Sequence, residues 1–340
     1  MHKTFACALV SLLATTAPTL AAEAVKPAVR SQAVQDHIDA AQFLMPGLPP
    51  ALFTNLLSAL PASGLPRNLD KDDKAPAKAF DQLYFFGLGS VGSWALVTSD
   101  GIIQFDALDN ADEAERLIIG GYKKVGLDPL KVKYIIITHG HGDHYGGGRL
   151  LQQKMTNAKL MMSAVDYDLM ERTYKAGQGT FGKLEPPKRD QVVTDGQKLT
   201  LGGTTITLYI TPGHTPGTIS TILPVTDNGV PHLVSFWGGT AFPATLEATP
   251  ANGGMSGYEI SIKRFTKVAM DAGVDTALSN HPELDGTLEN IEKMKTRKAG
   301  DPNPWVLGQS AYLRYMGVIY NFVGAGKTLA REKAAARPTN

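Results

Sequence analysis

Three histidines and an aspartate fall within six residues near the middle of the chain. Residues 135–145 read IIITHGHGDHY, so His139, His141, Asp143 and His144 follow directly after an apolar run of β-branched residues. The whole sequence of 340 residues contains only eight histidines. Imidazole and carboxylate groups are ligands that zinc prefers in proteins, and such crowding of ligand types predicts a metal site.

The spacing within this segment favours two metal ions over one. His139 and His141 are two residues apart on an extended loop, so their side chains point the same way. Asp143 and His144 are adjacent, and they cannot easily reach the point that the first two histidines serve. The intervening glycines let the backbone bend closely around the ligands. We therefore predict two neighbouring metal centres.

Two further histidines are candidate ligands for these centres. His214 lies in TPGHTPG at residues 211–217, and His281 lies in LSNHPELDG at residues 278–286. Both follow strand-like runs, as the first cluster does. Zinc favours four-coordination, with one position open for water in catalytic sites, so each centre needs such additional ligands. His37 and His232 stand alone, and we assign them no role.

The elements that must position these residues alternate between strands and helices. From Leu83 onward, LYFFG, SWALVTS and GIIQFD are strand-like runs separated by glycine turns. A helix is predicted at residues 111–125 and a strand at 132–138. Later strands are predicted at AKLMMSA, TTITLYIT and residues 234–237, and later helices at 259–272 and 303–333. This alternation without a linker predicts a layered α/β arrangement of two sheets flanked by helices.

Two nucleotide-binding patterns occur in the sequence but lack the context that they need. Residues 87–92, GLGSVG, match the dinucleotide fingerprint, which must open a helix. Here a strand and a turn follow, so a hairpin is predicted. Residues 324–328, GAGKT, end like a phosphate-binding loop, but Asn321 occupies the position of its first glycine. We therefore reject both nucleotide-binding sites.

The motifs resemble those of a known family. THGHGDHYGG at residues 138–147 is similar to the signature of the metallo-β-lactamase fold superfamily, and TPGHTPG is similar to its second motif. The resemblance extends from about residue 83 to residue 333. It implies an αββα sandwich, in which two mixed β-sheets pack face to face with helices outside and the metals at one edge.

Carried over residue by residue, the resemblance implies two zinc ions per chain. The first would be held by His139, His141 and His214. The second would be held by Asp143, His144 and His281. The nucleophile would be a solvent molecule between the metals, its pKa lowered toward neutrality by zinc, and Asp143 would also orient it.

The segment FWGGTAF at residues 236–242 is most similar to the third subclass of class B (zinc) β-lactamases. Thiolesterases and lactonases of the superfamily usually carry a metal-bridging aspartate where Thr240 stands, and two β-lactamase subclasses carry a cysteine. The third subclass has serine there, and a late histidine before proline, as in His281-Pro282. Thr240 is therefore a predicted catalytic residue, whose hydroxyl can bond a zinc-held water. Phe242 replaces a hydroxyl residue and would make the pocket more apolar.

The resemblance implies an exported zinc hydrolase that opens cyclic amides such as the β-lactam ring, with resistance to β-lactam antibiotics as the consequence. A zinc lactonase or esterase on the same fold is the alternative, disfavoured by the missing aspartate at Thr240 and favoured by Phe242. A third possibility is a non-catalytic or iron-binding relative. Carboxylates suit iron better, so the set of five histidines favours zinc.

The N-terminal part divides into two predicted segments before a main domain at residues 81–340. Residues 1–22 form a signal peptide, with Lys3 before a short apolar run and small residues at the end. The run is too short to span a membrane, so the mature protein is expected in the periplasm or secreted, and free of the membrane after processing. Residues 23–80 are expected to wrap on the main domain, with an amphipathic helix at 31–44.

The composition excludes several classes of partner. The net charge of +1 gives no support to a nucleic-acid or acidic-membrane partner, so a small-molecule substrate is expected. The one cysteine, Cys7, lies in the signal peptide, so the mature chain has no disulfide and no cysteine ligand. Oligomeric state is not determined by these features.

Overall fold

Two mixed β-sheets lie face to face, each with helices on its outer side. The computed structural model describes residues 30–60, 63, 69–179, 181–242, 249 and 253–336. The first sheet has the order β1-β2-β3-β4-β5-β6-β7, antiparallel from β1 to β4 and parallel from β4 to β7. Its strands are β1 (Asp73–Phe80), β2 (Leu83–Leu88), β3 (Gly92–Thr98), β4 (Gly101–Phe105), β5 (Val132–Ile136), β6 (Lys159–Ser163) and β7 (Gln191–Val193).

The second sheet has five strands in the order β12-β11-β10-β9-β8. Neighbouring strands are antiparallel except for β11 and β12, which are parallel. The strands are β8 (Gln197–Leu201), β9 (Thr204–Ile210), β10 (Ile219–Asp227), β11 (Val230–Trp237) and β12 (Thr276–Ser279).

Apolar side chains from both sheets fill the space between them. Phe105 of β4 meets Phe236 of β11 edge to face, with ring centroids 5.5 Å apart. Ile136 of β5 and Leu278 of β12 belong to the same buried cluster. This layer sets the spacing of the sheets, and therefore of the loops that follow their strands.

Helices cover the outer face of the first sheet. Residues 111–124 form one helical stretch of α3 (Ala111–Glu113), a π-helical segment at Ala114–Ile119 and α4 (Gly120–Lys124). Asn110 caps its start, since its Oδ1 accepts a hydrogen bond from Glu113 N at 3.0 Å. The same side carries α5 (Gly142–Tyr145), α6 (Gly148–Lys154) and α7 (Ala164–Ala176), and Ile118, Leu151 and Met170 join Ile135 in one buried cluster.

The outer face of the second sheet is covered by the two N-terminal helices and two later ones. These are α1 (Gln32–Leu44), α2 (Pro50–Ala59), α8 (Gly254–Ala272) and α10 (Gln309–Ala335), whereas α9 (Thr287–Thr296) lies beside β1. Val34, Ile38 and Ala41 of α1 are buried, as predicted for an amphipathic helix packed on the main domain. The αββα sandwich is thereby confirmed. No helix in the described ranges has both the length and the apolar character that crossing a membrane requires.

The predicted boundary after residue 80 divides the first sheet. β1 pairs along its length with β2, so the sheet begins at Asp73. The sequence DKAPAKAF hides this strand because its lysines and Pro76 replace the usual apolar alternation, as is common in strands at a sheet edge. The predicted signal peptide at residues 1–22 lies outside the described residues.

Neither nucleotide-binding pattern adopts the structure that its function needs. Residues 87–92 form the hairpin between β2 and β3, with Gly87 opposite Gly92. Residues 324–328 lie inside α10. Both expectations from the sequence are confirmed.

Four strands end at the same edge of the sandwich. In the first sheet Phe105 lies opposite Ile136, and in the second Trp237 lies opposite Ser279. Ile219 N donates to Thr138 O at 2.7 Å and ties the two sheets together at this edge. Because neighbouring parallel strands end together, the residues that follow them are gathered in one place.

Candidate metal centre

Three histidine rings from two distant loops converge on one point. His214 Nε2 lies 3.0 Å from His139 Nε2 and 2.9 Å from His141 Nδ1. His139 and His141 follow β5, and His214 precedes β10. Neutral imidazole nitrogens that face each other so closely can all be satisfied by one cation between them.

His139 is held in the orientation that a metal ligand needs. Its Nδ1 lies 2.9 Å from the carbonyl oxygen of Gly238, after β11, and 3.1 Å from Thr138 Oγ1. A bond to the carbonyl places the ring proton on Nδ1 and leaves the Nε2 lone pair aimed at His214.

Asp143, His144 and His281 form a second group beside the first. Asp143 Oδ2 lies 3.3 Å from His144 Nε2 and 4.0 Å from His281 Nε2. His139 joins this group, since a nitrogen of His139 lies within 4.8 Å of the ligand atoms of Asp143 and His144. His281 is farther away than the others, with its Nδ1 held by Ser90 O at 2.7 Å. The two groups of ligands therefore share His139.

The donor set fits zinc. His144 Nε2 is buried and forms no well-aligned hydrogen bond with the residues that the structure describes, and its ion pair with Asp143 Oδ2 spans 3.3 Å. A buried nitrogen whose hydrogen bonding is this incomplete is costly unless a ligand completes it. Five imidazoles and one carboxylate are the nitrogen and oxygen donors of zinc sites, and an octahedral oxygen site for magnesium or calcium would need more carboxylates.

The polypeptide keeps three of the rings neutral. Burial lowers the pKa of His141 to about 4, with further lowering by His144 and His281. Burial and the neighbouring rings also hold the pKa values of His139 and His214 well below the usual histidine value. Neutral imidazole is the form that binds a metal.

The second group holds opposite charges. Burial alone would raise the pKa of Asp143, but His144, His281 and His141 outweigh it and lower that pKa, so the carboxylate is ionised. Burial alone would lower the pKa of His144, but Asp143 and Asp106 raise it to about 10. Metal binding at His144 Nε2 would therefore release a proton.

Asp106 positions His144, and no sequence signal identified it in advance. Its carboxylate accepts from Thr138 N at 2.7 Å and Thr138 Oγ1 at 2.9 Å, and its Oδ2 lies 2.9 Å from His144 Nδ1. The residue is fully buried and adopts a φ of 57°, which is strained for a residue other than glycine. An aspartate at the end of the strand GIIQFD was the only available hint.

Asp166 was also missed, and it joins the two histidine loops from behind. Its carboxylate accepts from Gly140 N at 2.9 Å, Gly217 N at 2.9 Å and Thr215 Oγ1 at 2.6 Å. Burial raises the pKa of Asp166 to about 6 against these lowering hydrogen bonds. The loop of His139 and His141 and the loop of His214 are therefore fixed to each other through one side chain.

The Thr240 hydroxyl forms hydrogen bonds with residues beneath the metal ligands. It donates to Trp237 O at 3.3 Å and accepts from Ser279 Oγ at 2.9 Å, and Ser279 Oγ in turn accepts from His281 N at 3.0 Å. Thr240 is fully buried. This chain of hydrogen bonds makes Thr240 a support for the His281 loop, and its predicted contact with a metal-held water stays a prediction.

A cleft of about 850 Å³ opens above the two groups. His141, Asp143, His214 and His281 reach its surface, whereas His139 and His144 lie beneath it. Apolar side chains line much of the remainder: Leu69, Leu88, Val91, Leu184, Ala241 and Phe242. Phe242 thus takes the place in the pocket that the sequence predicted.

Comparisons with known proteins agree with this fold. Residues 87–227 match the sequence model of the family described as the metallo-beta-lactamase superfamily. The fold is similar to BJP-1, a subclass B3 metallo-beta-lactamase of Bradyrhizobium japonicum, with a TM-score of 0.66 and 26% identity over 79% of this chain and 99% of that one. It is also similar to FEZ-1, a metallo-beta-lactamase from Legionella gormanii, with a TM-score of 0.63 over 81% and 100% of the two chains. At 21% identity the second likeness shows the fold alone.

The curated relatives found by sequence match only part of this chain. A hydroxyacylglutathione hydrolase from Synechococcus sp. is 32% identical over 126 residues, which are 36% of this chain and 43% of that protein. The match therefore spans less than half the length of this relative. Taken together, residues 87–227 match the metallo-beta-lactamase superfamily, and the fold is similar to that of BJP-1, a subclass B3 metallo-beta-lactamase.

Proposed function

We propose that the protein is an exported, dinuclear-zinc hydrolase that opens cyclic amides such as the β-lactam ring. The observation that carries this proposal is the convergence of six ligands from three segments of the chain at one edge of the sandwich. His139, His141 and His214 would hold one ion, and Asp143, His144 and His281 the other.

Residues around the ligands orient the ligand side chains. When bound, a zinc pair supplies an activated water and polarises the carbonyl that is attacked. Asp143 is ionised and reaches the cleft, so its carboxylate can accept a hydrogen bond from a water and orient it. Gly238 O, Asp106 and Ser90 O hold the rear nitrogens of three ligand rings, which preorganises the site before any ligand arrives.

The substrate class rests on the likeness to BJP-1 and on position 240. Neither a carboxylate nor a thiol stands there, and the Thr240 hydroxyl is bonded to Ser279 and Trp237. This supports a relative of the third β-lactamase subclass over a thiolesterase. The apolar lining that includes Phe242 favours a second candidate, a zinc lactonase or esterase.

The test begins with the purified mature chain. Bound metal is counted by mass spectrometry, and hydrolysis of penicillins, cephalosporins, carbapenems and lactones is measured with and without a chelator. His214→Ala removes a ligand, and His232→Ala serves as a matched control because His232 pairs with Asp275 away from the site, with Nδ1 to Oδ2 at 2.6 Å.

Chelator-sensitive β-lactam opening with about two zinc ions per chain, lost in His214→Ala and kept in His232→Ala, would support the proposal. Two zinc ions with turnover of lactones alone would select the second candidate. A chain that binds no zinc would refute both.

Export is part of the same proposal and is supported by the pattern of residues 1–22. Expression in a susceptible Gram-negative host should yield a periplasmic protein that begins after Ala21, Ala22 or Ala24, and it should raise resistance to β-lactams. N-terminal sequencing identifies the first residue of the processed protein, and susceptibility testing measures resistance. A cytoplasmic protein that retains Met1 would contradict export.

A further inference from the structure

Asp109 stands at the cleft with a carboxylate that the described part of the chain leaves without a hydrogen bond or ion pair. It lines the cleft together with His141, Asp143 and Phe242. Only its backbone is bonded, since Asp109 N donates to Glu113 Oε2 at 3.2 Å. A partly buried carboxylate without a partner costs free energy, so a cationic partner that enters the cleft would be favoured.

The carboxylate is held in place by its backbone. Besides the bond to Glu113, the carbonyl of Asp109 lies against Gly146, where an added Cβ would come within 2.0 Å of the oxygen. Asn110, the next residue, caps the helical stretch that begins at Ala111. A group fixed in this way loses little conformational entropy when it binds a ligand, which is a property of recognition sites.

The protein side chains that line the cleft carry more negative than positive charge. Lys71 is the only lysine or arginine among the described residues that line it, against the carboxylates of Asp109, Glu113 and Asp143. Burial and Asp143 raise the pKa of Asp109, while His144 and Lys71 act to lower it. These effects place its carboxylate within electrostatic reach of the metal ligands, although Asp109 belongs to neither ligand group.

We propose that Asp109 is a specificity-determining residue that accepts a hydrogen bond from a protonated amino group of the substrate. The inference rests on the hydrolase function proposed above. It narrows the substrate class to small cyclic amides or esters that carry a protonated amino group on the ring or on its side chain.

The test compares matched substrates that differ only in the amino group. One pair is a penicillin whose acyl side chain carries a free amino group and the same penicillin without it. For the lactone candidate, homoserine lactone and γ-butyrolactone form the pair. Asp109→Asn keeps the shape of the side chain and removes its charge. Asp112→Asn removes a charge three residues away, where Asp112 pairs with Arg116 on the surface.

Wild type should prefer the amino substrate. Asp109→Asn should lower kcat/KM for that substrate about tenfold or more, mostly through KM, because one charge-assisted hydrogen bond is lost. The kcat/KM of Asp109→Asn for the substrate without the amino group should equal that of wild type. Asp112→Asn should leave kcat/KM unchanged for both substrates. Calorimetry with the two ring-opened products should show the same selective loss of affinity, with metal content unchanged.

The outcomes separate the two proposals. Hydrolysis of both substrates without preference, or an equal fall for both in Asp109→Asn, would overturn the role of Asp109 and leave the hydrolase function standing. A zinc-loaded wild type that hydrolyses none of the substrates would refute the proposed function, and this inference would fall with it.

Discussion

The substitution Gly238→Ala tests whether the close approach of the two sheets builds the site. Gly238 follows β11, and an added Cβ would lie 1.9 Å from Ile219 O and 3.2 Å from Thr138 Cβ. A carbon–oxygen contact needs about 3.3 Å, so the strand ends would have to separate by about 1.4 Å. The carbonyl of Gly238 would move with them, and it bonds both His139 Nδ1 and Asn280 Nδ2 at 2.9 Å.

The cost has two parts. Forcing an extra methyl group into a filled region costs about 1–3 kcal/mol. Weakening the two hydrogen bonds on the Gly238 carbonyl adds about 1 kcal/mol each. The free energy of unfolding should therefore fall by about 3–5 kcal/mol, and Tm by roughly 6–10 °C if each kcal/mol lowers it by about 2 °C. Metal affinity should fall about 10–100-fold, because His139 loses the group that orients it.

Denaturant unfolding of the metal-free protein and competition with a chelating dye measure the two effects separately. Gly257→Ala is the matched control, since Gly257 lies in α8 and an added Cβ would come no closer than 3.8 Å to Pro212 O. It should change stability by at most about +1 kcal/mol, the helix preference of alanine over glycine. If Gly238→Ala stayed within about 1 kcal/mol of wild type and bound metal equally well, the reasoning would be refuted.

Three further substitutions test the ligands and their supports. His281→Ala should lower bound zinc from about two to about one ion per chain, counted by mass spectrometry, whereas His232→Ala should leave it unchanged. Asp106→Asn should weaken metal binding about 10–100-fold in a chelator competition, since Asp106 orients His144, and an unchanged affinity would speak against that role. Asp166→Asn should alter the pH dependence of stability. Because the folded state raises the pKa of Asp166 from 3.8 to about 6, the protonated carboxyl stabilises the fold below about pH 4, and this stability is lost as pH rises through 6. The free energy of unfolding of wild type, relative to the variant, should fall by about 2 kcal/mol between pH 4 and pH 7, measured by denaturant titration at each pH, and a constant difference would contradict the raised pKa.

The ligands could be identified from sequence because their signal is local. His139, His141, Asp143 and His144 lie so close together that residue type and spacing alone indicate a metal site. His214 and His281 each stand in a short glycine- or proline-rich loop after a strand-like run. The alternation of strands and helices similarly predicted two sheets flanked by helices, since hydrophobic periodicity depends on which face of an element is buried.

Edge strand β1 shows where local patterning fails. Its lysines and Pro76 are what protects an exposed edge from pairing with other chains, and they remove the alternation by which a strand is recognised. The boundary of the sheet could therefore be found only from the pairing with β2.

The supporting residues depend on contacts between segments far apart in sequence. Asp106 reaches Thr138 and His144, and Asp166 reaches Thr215 and Gly217, across gaps that no spacing rule describes. Each is a single aspartate with no neighbouring motif.

The sequence by itself determined the donor types of the site: clustered imidazoles and one carboxylate, no cysteine after Cys7 and the motifs of a metallo-β-lactamase fold. Only the tertiary structure decided which nitrogens face one another, which way the Thr240 hydroxyl bonds, and that no described residue pairs with the Asp109 carboxylate at the cleft. The physical reason is that donor type is a property of the residue, whereas the direction of a lone pair and the presence of a partner are properties of the packed neighbours.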